Sequence, residues 1–168
     1  MSDDIEEIRA GLNLLRPRDL NDLDETASNL DEILKEYKAI DKLSKRLLST
    51  IGRDVNEVLL TQAPEYHFYK GCTARLRYMM DYFSELLKNT RGRRYNEIRG
   101  SSSRDLNHAA INQIIDGKDE IFDIVNMFLK VKEMYDAFAG TVESYNQRGY
   151  VLNNLLKALE LEVRNVIL

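Results

Sequence analysis

Apolar side chains recur every three or four residues through most of the chain, which is the spacing of amphipathic helices. The pattern predicts helices over residues 2–15, 24–62 and 65–89, a short helix after residue 104, and a long last helix from residue 118. Alternation of the strand type is nowhere sustained. We therefore predict an all-α fold of long antiparallel helices.

The first 20 residues are expected to form an acidic helix or arm. Ser2 can cap it, and Pro17 ends it because the residue before a proline avoids helical geometry. Its apolar stripe consists of Ile5, Ile8, Leu12 and Leu15. This segment either packs on its own domain, which is the favoured interpretation, or docks on a partner protein. Residues 21–168 are expected to form one helical domain.

Two breaks are expected inside that domain. Pro64 should stop one helix and start the next, since proline is tolerated in the first turn of a helix but not in its interior. Residues 90–104 (TRGRRYNEIRGSSSR) should form a loop, because Gly92, Gly100 and three serines favour irregular backbone. Ser103 or Asp105 can cap the short helix that follows.

The C-terminal segment, residues 150–168, is apolar enough to require a partner surface. We predict that it is an oligomerisation helix, with packing inside the chain as an equal alternative. The side chains expected to form this contact are Leu152, Leu155, Leu156, Leu159, Val163 and Val166.

Composition indicates a globular protein without membrane spans. Charged residues make up 31% and hydrophobic residues 43% of the chain, and no apolar run approaches the ~20 residues that cross a bilayer. The N-terminus is acidic where a secretory signal would be basic, and the lone Cys72 fits a reducing compartment. We expect a cytoplasmic protein, in the host cytoplasm if the source is a phage, with no membrane partner.

The sequence contains no recognisable catalytic or metal-binding constellation. His67 and His108 lie far apart and lack cysteine or carboxylate neighbours at ligand spacing. The basic tract at residues 91–93 lacks the lysine-bearing phosphate loop of nucleotide-binding proteins. We expect a non-enzyme that needs no metal and no cofactor.

One basic, aromatic stretch stands out in an otherwise acidic chain. Residues 70–104 hold nine basic residues against three acids, a balance of +6, although the whole chain has a net charge of −4. Seven of the 14 aromatic residues lie between Tyr66 and Tyr95. The candidate nucleic-acid-binding residues are Lys70, Arg75, Arg77, Lys88, Arg91, Arg93, Arg94, Tyr95, Arg99 and Arg104.

This combination is typical of proteins that bind single-stranded nucleic acid, because cations follow the phosphates and flat side chains stack on unpaired bases. Tyr95 is the preferred stacking candidate, whereas Tyr69, Tyr82 and Phe83 are expected in the core and Tyr78 is undecided. Arg75 and Arg77 can alternatively pair with acids on a neighbouring helix. No motif for sequence-specific readout is present.

Two short motifs resemble the UvsY family of T-even phage recombination mediators. Residues 73–78 (TARLRY) resemble the family's K-A-R-L-D-Y-Y helix, and residues 146–150 (NQRGY), followed by Asn153, resemble its S-R-G-[FY]-x-I-[KN] ending. Residues 117–120 (GKDE) begin the long last helix as in the family. The resemblance covers residues 28–160 in order and spacing. Arg75 matches the family's arginine, but Thr73 stands where the family has lysine.

The resemblance implies a helical protein that forms a ring through its C-terminal helices. It also implies binding of single-stranded DNA and loading of a RecA-like recombinase onto strands covered by single-strand-binding protein. The alternative is an oligomeric helical component of a virion or another assembly, without DNA binding. A third possibility is a regulator whose acidic arm occupies a partner's DNA site.

Overall fold

The structure is a computed structural model, and it describes residues 29–49, 54–101 and 106–166, with side chains as far as residue 162. These residues form four helices and no strand: α1 (Leu30–Leu48), α2 (Val55–Ser101), α3 (His108–Asp116) and α4 (Asp119–Val166). The long helices α2 and α4 pack against each other through the stacked rings of Tyr69 and Tyr145 and the ion pair of Glu65 and Arg148. The predicted all-α fold of long antiparallel helices is thus confirmed.

The helices pack as two compact units. The first consists of the described residues up to Thr73 together with those from Asp136 onwards, and the second consists of the described residues from Ala74 to Tyr135. Consequently α1 belongs to the first unit and α3 to the second, while α2 and α4 contribute to both.

In the first unit, α1 runs parallel to α4 and α2 runs antiparallel to it. Tyr37 meets Phe138 edge to face at 5.5 Å, and further along both helices the hydroxyl of Ser44 lies 3.4 Å from that of Thr141. The ring of Tyr69 on α2 stacks on Tyr145 with centroids 5.2 Å apart. These contacts form an aromatic core with one small polar contact, where both hydroxyls also bond within their own helices.

The second unit has an aliphatic core. Ile111 and Ile115 of α3 and Ile121 of α4 form a buried cluster. It is extended by half-buried neighbours from α2, from α4 and from the residue that precedes the cap of α3: Leu87, Tyr95, Ile98, Val125 and Leu106. The short α3 is held by this contact, because nine residues would not form a stable helix in isolation.

The buried side of α2 follows the apolar period of the sequence. Tyr69, Cys72, Leu76, Met79 and Phe83 are all at most 2% exposed and follow a spacing of three or four residues. The buried side of α4 has a similar period and includes Ile121, Ile124, Val131, Phe138 and Tyr145. Periodicity therefore locates the core of both long helices.

The continuous helix predicted over residues 24–62 is wrong. Helix α1 ends at Leu48, where Ser49 has extended backbone angles of −67° and 123°. Helix α2 begins at Val55, and the Asp54 carboxylate accepts a hydrogen bond of 2.7 Å from the amide of Asn56. This side-chain contact is an N-cap, which fixes the helix start because it satisfies an amide that lacks an intrahelical partner.

The predicted break at Pro64 is also wrong, because Pro64 lies inside α2. A proline there removes one backbone hydrogen bond, to the carbonyl of Leu60. Both residues are exposed, so this side of the helix faces solvent and water can bond the carbonyl. Packing of the opposite side, through Val58 and Glu65, maintains the helix across the proline.

The loop predicted at residues 90–104 is largely helix, since α2 continues to Ser101, while residues 102–105 lie outside the described part. Each glycine costs a helix about 1 kcal/mol relative to alanine. Tertiary contacts offset this cost. Tyr95 and Ile98 pack on the isoleucine cluster, and two arginines of this segment form ion pairs with acidic side chains of α3 and α4. Packing thus overrides local propensity.

The predictions for the remaining helices are confirmed apart from one cap. Helix α3 is capped by Asn107, whose side chain accepts a hydrogen bond of 2.8 Å from the amide of Ala110, rather than by Ser103 or Asp105. Gly117 ends α3, and α4 then runs without interruption past Gly140 and Gly149. None of the described helices combines the length and apolarity that a membrane span requires.

The N-terminal predictions lie outside the described residues. These are the acidic helix or arm of residues 1–20 and its stripe of Ile5, Ile8, Leu12 and Leu15.

Candidate nucleic-acid interface

Three of the predicted cations form a line on the outer face of α2 in the second unit. Arg77, Lys88 and Arg99 are exposed and follow one another at intervals of 11 residues. An interval of 11 residues is about three full turns, so the three side chains share one side of the helix about 16 Å apart. We call this line the outer cation row. It lies opposite the buried residues Leu76, Met79 and Phe83.

The outer cation row is only lightly neutralised. Arg77 and Arg99 form no ion pair with any residue that the structure describes. Lys88 lies 3.6 Å from Glu85, and both side chains are mostly exposed. An exposed pair of this kind is weak, so Lys88 remains available to an anion.

Arg91, Arg93 and Arg94, by contrast, are paired with acids of the same unit. The Arg91 Nη2 lies 2.6 Å from the Asp116 carboxylate at the end of α3. The Arg93 Nη2 donates to Glu120 Oε1 at 2.7 Å, and Arg94 donates to Glu120 Oε2 through Nε, at 2.9 Å, and through Nη2. We call Arg93, Arg94 and Glu120 the Glu120 clamp.

The ion pair of Arg94 and Glu120 in the clamp favours the charged form of both groups. Hydrogen bonds from Arg94, and more weakly the charges of both arginines, lower the pKa of Glu120 against the opposing effect of desolvation. Hydrogen bonds to Glu120 and then to Glu97 raise the pKa of Arg94. Because these groups are solvent-exposed, the clamp orients the guanidinium groups rather than adding much stability.

Tyr95, the preferred stacking candidate, already has an aromatic partner. Its ring stacks on His108 with centroids 5.1 Å apart and an angle of 18°, and its hydroxyl lies 2.8 Å from the His108 Nδ1. The rest of the ring packs beside the isoleucine cluster. One face of Tyr95 is therefore occupied within the protein.

Tyr78 is the tyrosine of this stretch with a freely accessible ring. It is 52% exposed and lies next to Arg77 along the chain. Arg75, one turn earlier on the same flank, is half-buried and makes no ion pair with the described residues. Tyr69 and Phe83 are buried as predicted, and Tyr82 is half-buried.

The remaining candidates lie elsewhere. Lys70 belongs to the first unit, where its ammonium group lies 5.6 Å from the centre of the Tyr66 ring. Arg104 lies outside the described residues.

The predicted oligomerisation stripe is mostly exposed. Leu152 is 8% exposed and completes the core, whereas Leu155, Leu156 and Leu159 are 42%, 39% and 46% exposed. The side chains of Val163 and Val166 lie outside the described part. Val151 and Leu161 of the same segment are exposed as well, although they were not among the predicted contact residues.

Sequence reasoning missed a buried polar cluster in the first unit. The side chains of Arg148 and Glu65 are 7% and 10% exposed and form an ion pair of 2.8 Å. Arg148 also donates to the Leu47 carbonyl at 2.8 Å and to the Gln62 side chain, and it lies 4.5 Å from the Tyr145 ring centre. Arg148 lies between Tyr145 and Leu152 on the apolar side of α4, and this position in the sequence pattern could have indicated that it is buried.

No group of three or more histidine, cysteine or acidic side chains is arranged to hold a metal ion within the described residues. Comparison of the chain with protein families, curated proteins and solved structures finds no match. Function is therefore argued from the residues themselves.

Proposed function

We propose that this protein binds the backbone of single-stranded DNA through the outer face of α2 and acts as a recombination mediator. The observation that supports DNA binding is the outer cation row, in which Arg77, Lys88 and Arg99 face solvent and only Lys88 has an ion-pair partner among the described residues, the exposed Glu85. The exposed Asp81 lies on the same side of α2 and lowers the net positive charge of the row. Because these cations are carried by a helix, little backbone order must be gained on binding, although each long side chain loses rotamer freedom when it contacts a phosphate.

The spacing of the row predicts a salt-dependent interaction. Successive cations are about 16 Å apart by helix geometry, which exceeds the screening length of ~8 Å at physiological salt. Each cation therefore contacts its own phosphate. Three such contacts to a single strand give a slope of log K against log salt of about −2.

Tyr78 adds a reason to prefer single strands. Its exposed ring lies beside Arg77, and an unpaired base can stack on it, which contributes about 1–3 kcal/mol per base. Paired bases inside a duplex do not offer their faces in this way. The stacking role thus moves from Tyr95, which stacks on His108, to Tyr78.

The mediator role rests on the resemblance to the UvsY family and on the exposed C-terminal stripe. A ring or other homo-oligomer formed through Leu155, Leu156 and Leu159 would repeat the DNA site, and linked weak sites bind a long strand tightly. The partners in this function are a RecA-like recombinase and single-strand-binding protein, and the cellular compartment is the cytoplasm.

The second candidate function is a structural component of a virion or another assembly. Two observations favour it: the exposed leucines of α4, which suit contacts between copies, and the pairing of Arg91, Arg93 and Arg94 with acids of the chain itself. In that case the protein would form an oligomer and would not bind DNA.

Fluorescence anisotropy with a labelled oligonucleotide across a salt series distinguishes the two functions. The triple variant Arg77→Ala/Lys88→Ala/Arg99→Ala should lose most of the binding and most of the salt slope. The matched control is Lys35→Ala/Lys38→Ala/Lys42→Ala, which removes the same charge from exposed positions of α1.

Preference for single over double strands, with the control unchanged, supports the proposal. Equal loss in both triple variants would mean that only net charge matters. No binding by folded wild-type protein at low salt would refute the proposal and favour the assembly role.

A further inference from the structure

Two arginines of the second unit converge on one carboxylate in a geometry that also suits a phosphate. Arg93 binds one oxygen of Glu120 at 2.7 Å, and Arg94 binds the other through two of its nitrogens, one of them at 2.9 Å. Guanidinium groups present a planar fork of donors, and this fork fits carboxylate and phosphate oxygens equally well.

We propose that Arg93 and Arg94 form a phosphate-binding site of the DNA interface, which Glu120 occupies until a strand displaces it. This inference rests on the proposed function, and it adds that Glu120 regulates the binding of DNA to the second unit. The Glu120 side chain acts as an internal substitute for a backbone phosphate.

The site is open to a ligand. The side chains of Arg93, Arg94 and Glu120 are 59%, 37% and 35% exposed, so a phosphate can approach without unfolding the clamp. Such exposed pairs are weakly held, because water solvates both partners well when they separate. Glu120 can therefore leave by rotation of its side chain while α2 and α4 remain in place.

The exchange discriminates between long strands and free phosphate. A diester phosphate and the Glu120 carboxylate each carry one negative charge. A small free anion that replaces the carboxylate therefore gains little binding free energy. After displacement the Glu120 carboxylate remains close and repels the incoming phosphate. Glu97, which lies 2.8 Å from Arg94, repels it as well. By helix geometry the Glu120 clamp lies more than about 100° around α2 from the outer cation row. A strand anchored at Arg77, Lys88 and Arg99 competes better than a free anion, because its further phosphates, which follow the strand around α2, are held at high local concentration.

The test compares Glu120→Gln with the matched control Glu133→Gln, which removes the same charge from α4 but takes no part in the clamp. Both are assayed with a labelled oligonucleotide by anisotropy and with inorganic pyrophosphate by calorimetry. We expect Glu120→Gln to tighten oligonucleotide binding about three- to tenfold, as removal of one charge a few ångströms from a phosphate predicts. The salt slope should steepen by about one contact.

A reversal experiment assigns the gain to the arginines. Arg93→Ala/Arg94→Ala in the Glu120→Gln background should abolish the gain and return affinity to the wild-type range. Circular dichroism establishes that the variants fold, and Glu120→Ala serves as a second release variant with the same expected gain.

The outcomes separate this inference from the proposed function. If wild type binds the oligonucleotide and both glutamine variants shift equally or not at all, the inference fails and DNA binding stands. If oligonucleotide binding is absent throughout but Glu120→Gln gains pyrophosphate binding, the site is real and the proposed function fails. If Glu120→Gln binds neither probe better than wild type, the inference is refuted.

Discussion

The buried pair of Arg148 and Glu65 offers the largest expected effect on stability from a single substitution. Arg148→Met keeps most of the length and apolar volume of the side chain but removes every donor. Glu65 would then be buried without its cation, and the Leu47 carbonyl and the Gln62 side chain would each lose a hydrogen bond.

The magnitude follows from this count of lost partners. Removal of one member of a buried ion pair costs about 3–5 kcal/mol, mainly because the remaining charge stays desolvated. Most single domains have a total unfolding free energy of only about 5–15 kcal/mol. We therefore expect Arg148→Met to lose about 3–5 kcal/mol, whereas Arg77→Met, the same change at an exposed arginine, should stay within about 0.5 kcal/mol.

Urea unfolding followed by circular dichroism measures both variants, and a double-mutant cycle with Glu65→Leu completes the test. When both charged groups are replaced by apolar ones, no charge is left buried, so the double variant should recover much of the loss. A loss below about 1 kcal/mol for Arg148→Met, or strictly additive effects in the cycle, would refute this account of the cluster.

Two further predictions concern other parts of the chain. Burial, reinforced by the nearby Glu65, raises the pKa of Tyr69 and Tyr145, so these hydroxyls stay protonated in the folded state. Stability should be fully present below pH ~10 and fall above it, where unfolded tyrosine ionises first. The tyrosinate absorbance of these two residues, taken as the difference between wild type and Tyr69→Phe/Tyr145→Phe, should appear together with the loss of helix in circular dichroism; its appearance in folded protein would contradict this. Light scattering should show the proposed oligomer in wild type and a monomer in Leu155→Asp/Leu159→Asp, without loss of helix, since both side chains are exposed; a monomeric wild type or an unchanged mass in the variant would contradict the proposed contact.

The buried side of each long helix could be predicted, because burial of one side of a helix places apolar residues every three or four positions. The residues that recur on one side of α2 between Tyr69 and Phe83 are the ones that the structure buries. Helix ends were less predictable, because they depend on contacts that the local sequence does not contain. Asp54 and Asn107 cap helices through side chains whose role becomes visible only when the backbone is placed.

The candidate site was predictable in composition but not in arrangement. The sequence shows how many cations residues 70–104 contain. It does not show that Asp116 and Glu120 form ion pairs with Arg91, Arg93 and Arg94. Those acids follow some 25 residues later, and only the packing of α3 and α4 against α2 brings them close. Charge density along a chain therefore overstates the charge that a surface offers.

The burial of Cys72 makes it a natural reporter of motion. It is the only cysteine of the chain, and it is 2% exposed on the inner side of α2. A thiol reagent can modify it only while the surrounding helices are open, so the labelling rate of the unmodified protein measures how often the first unit opens. Ligands that hold that unit closed would slow the reaction, and no engineered label would be needed to observe it.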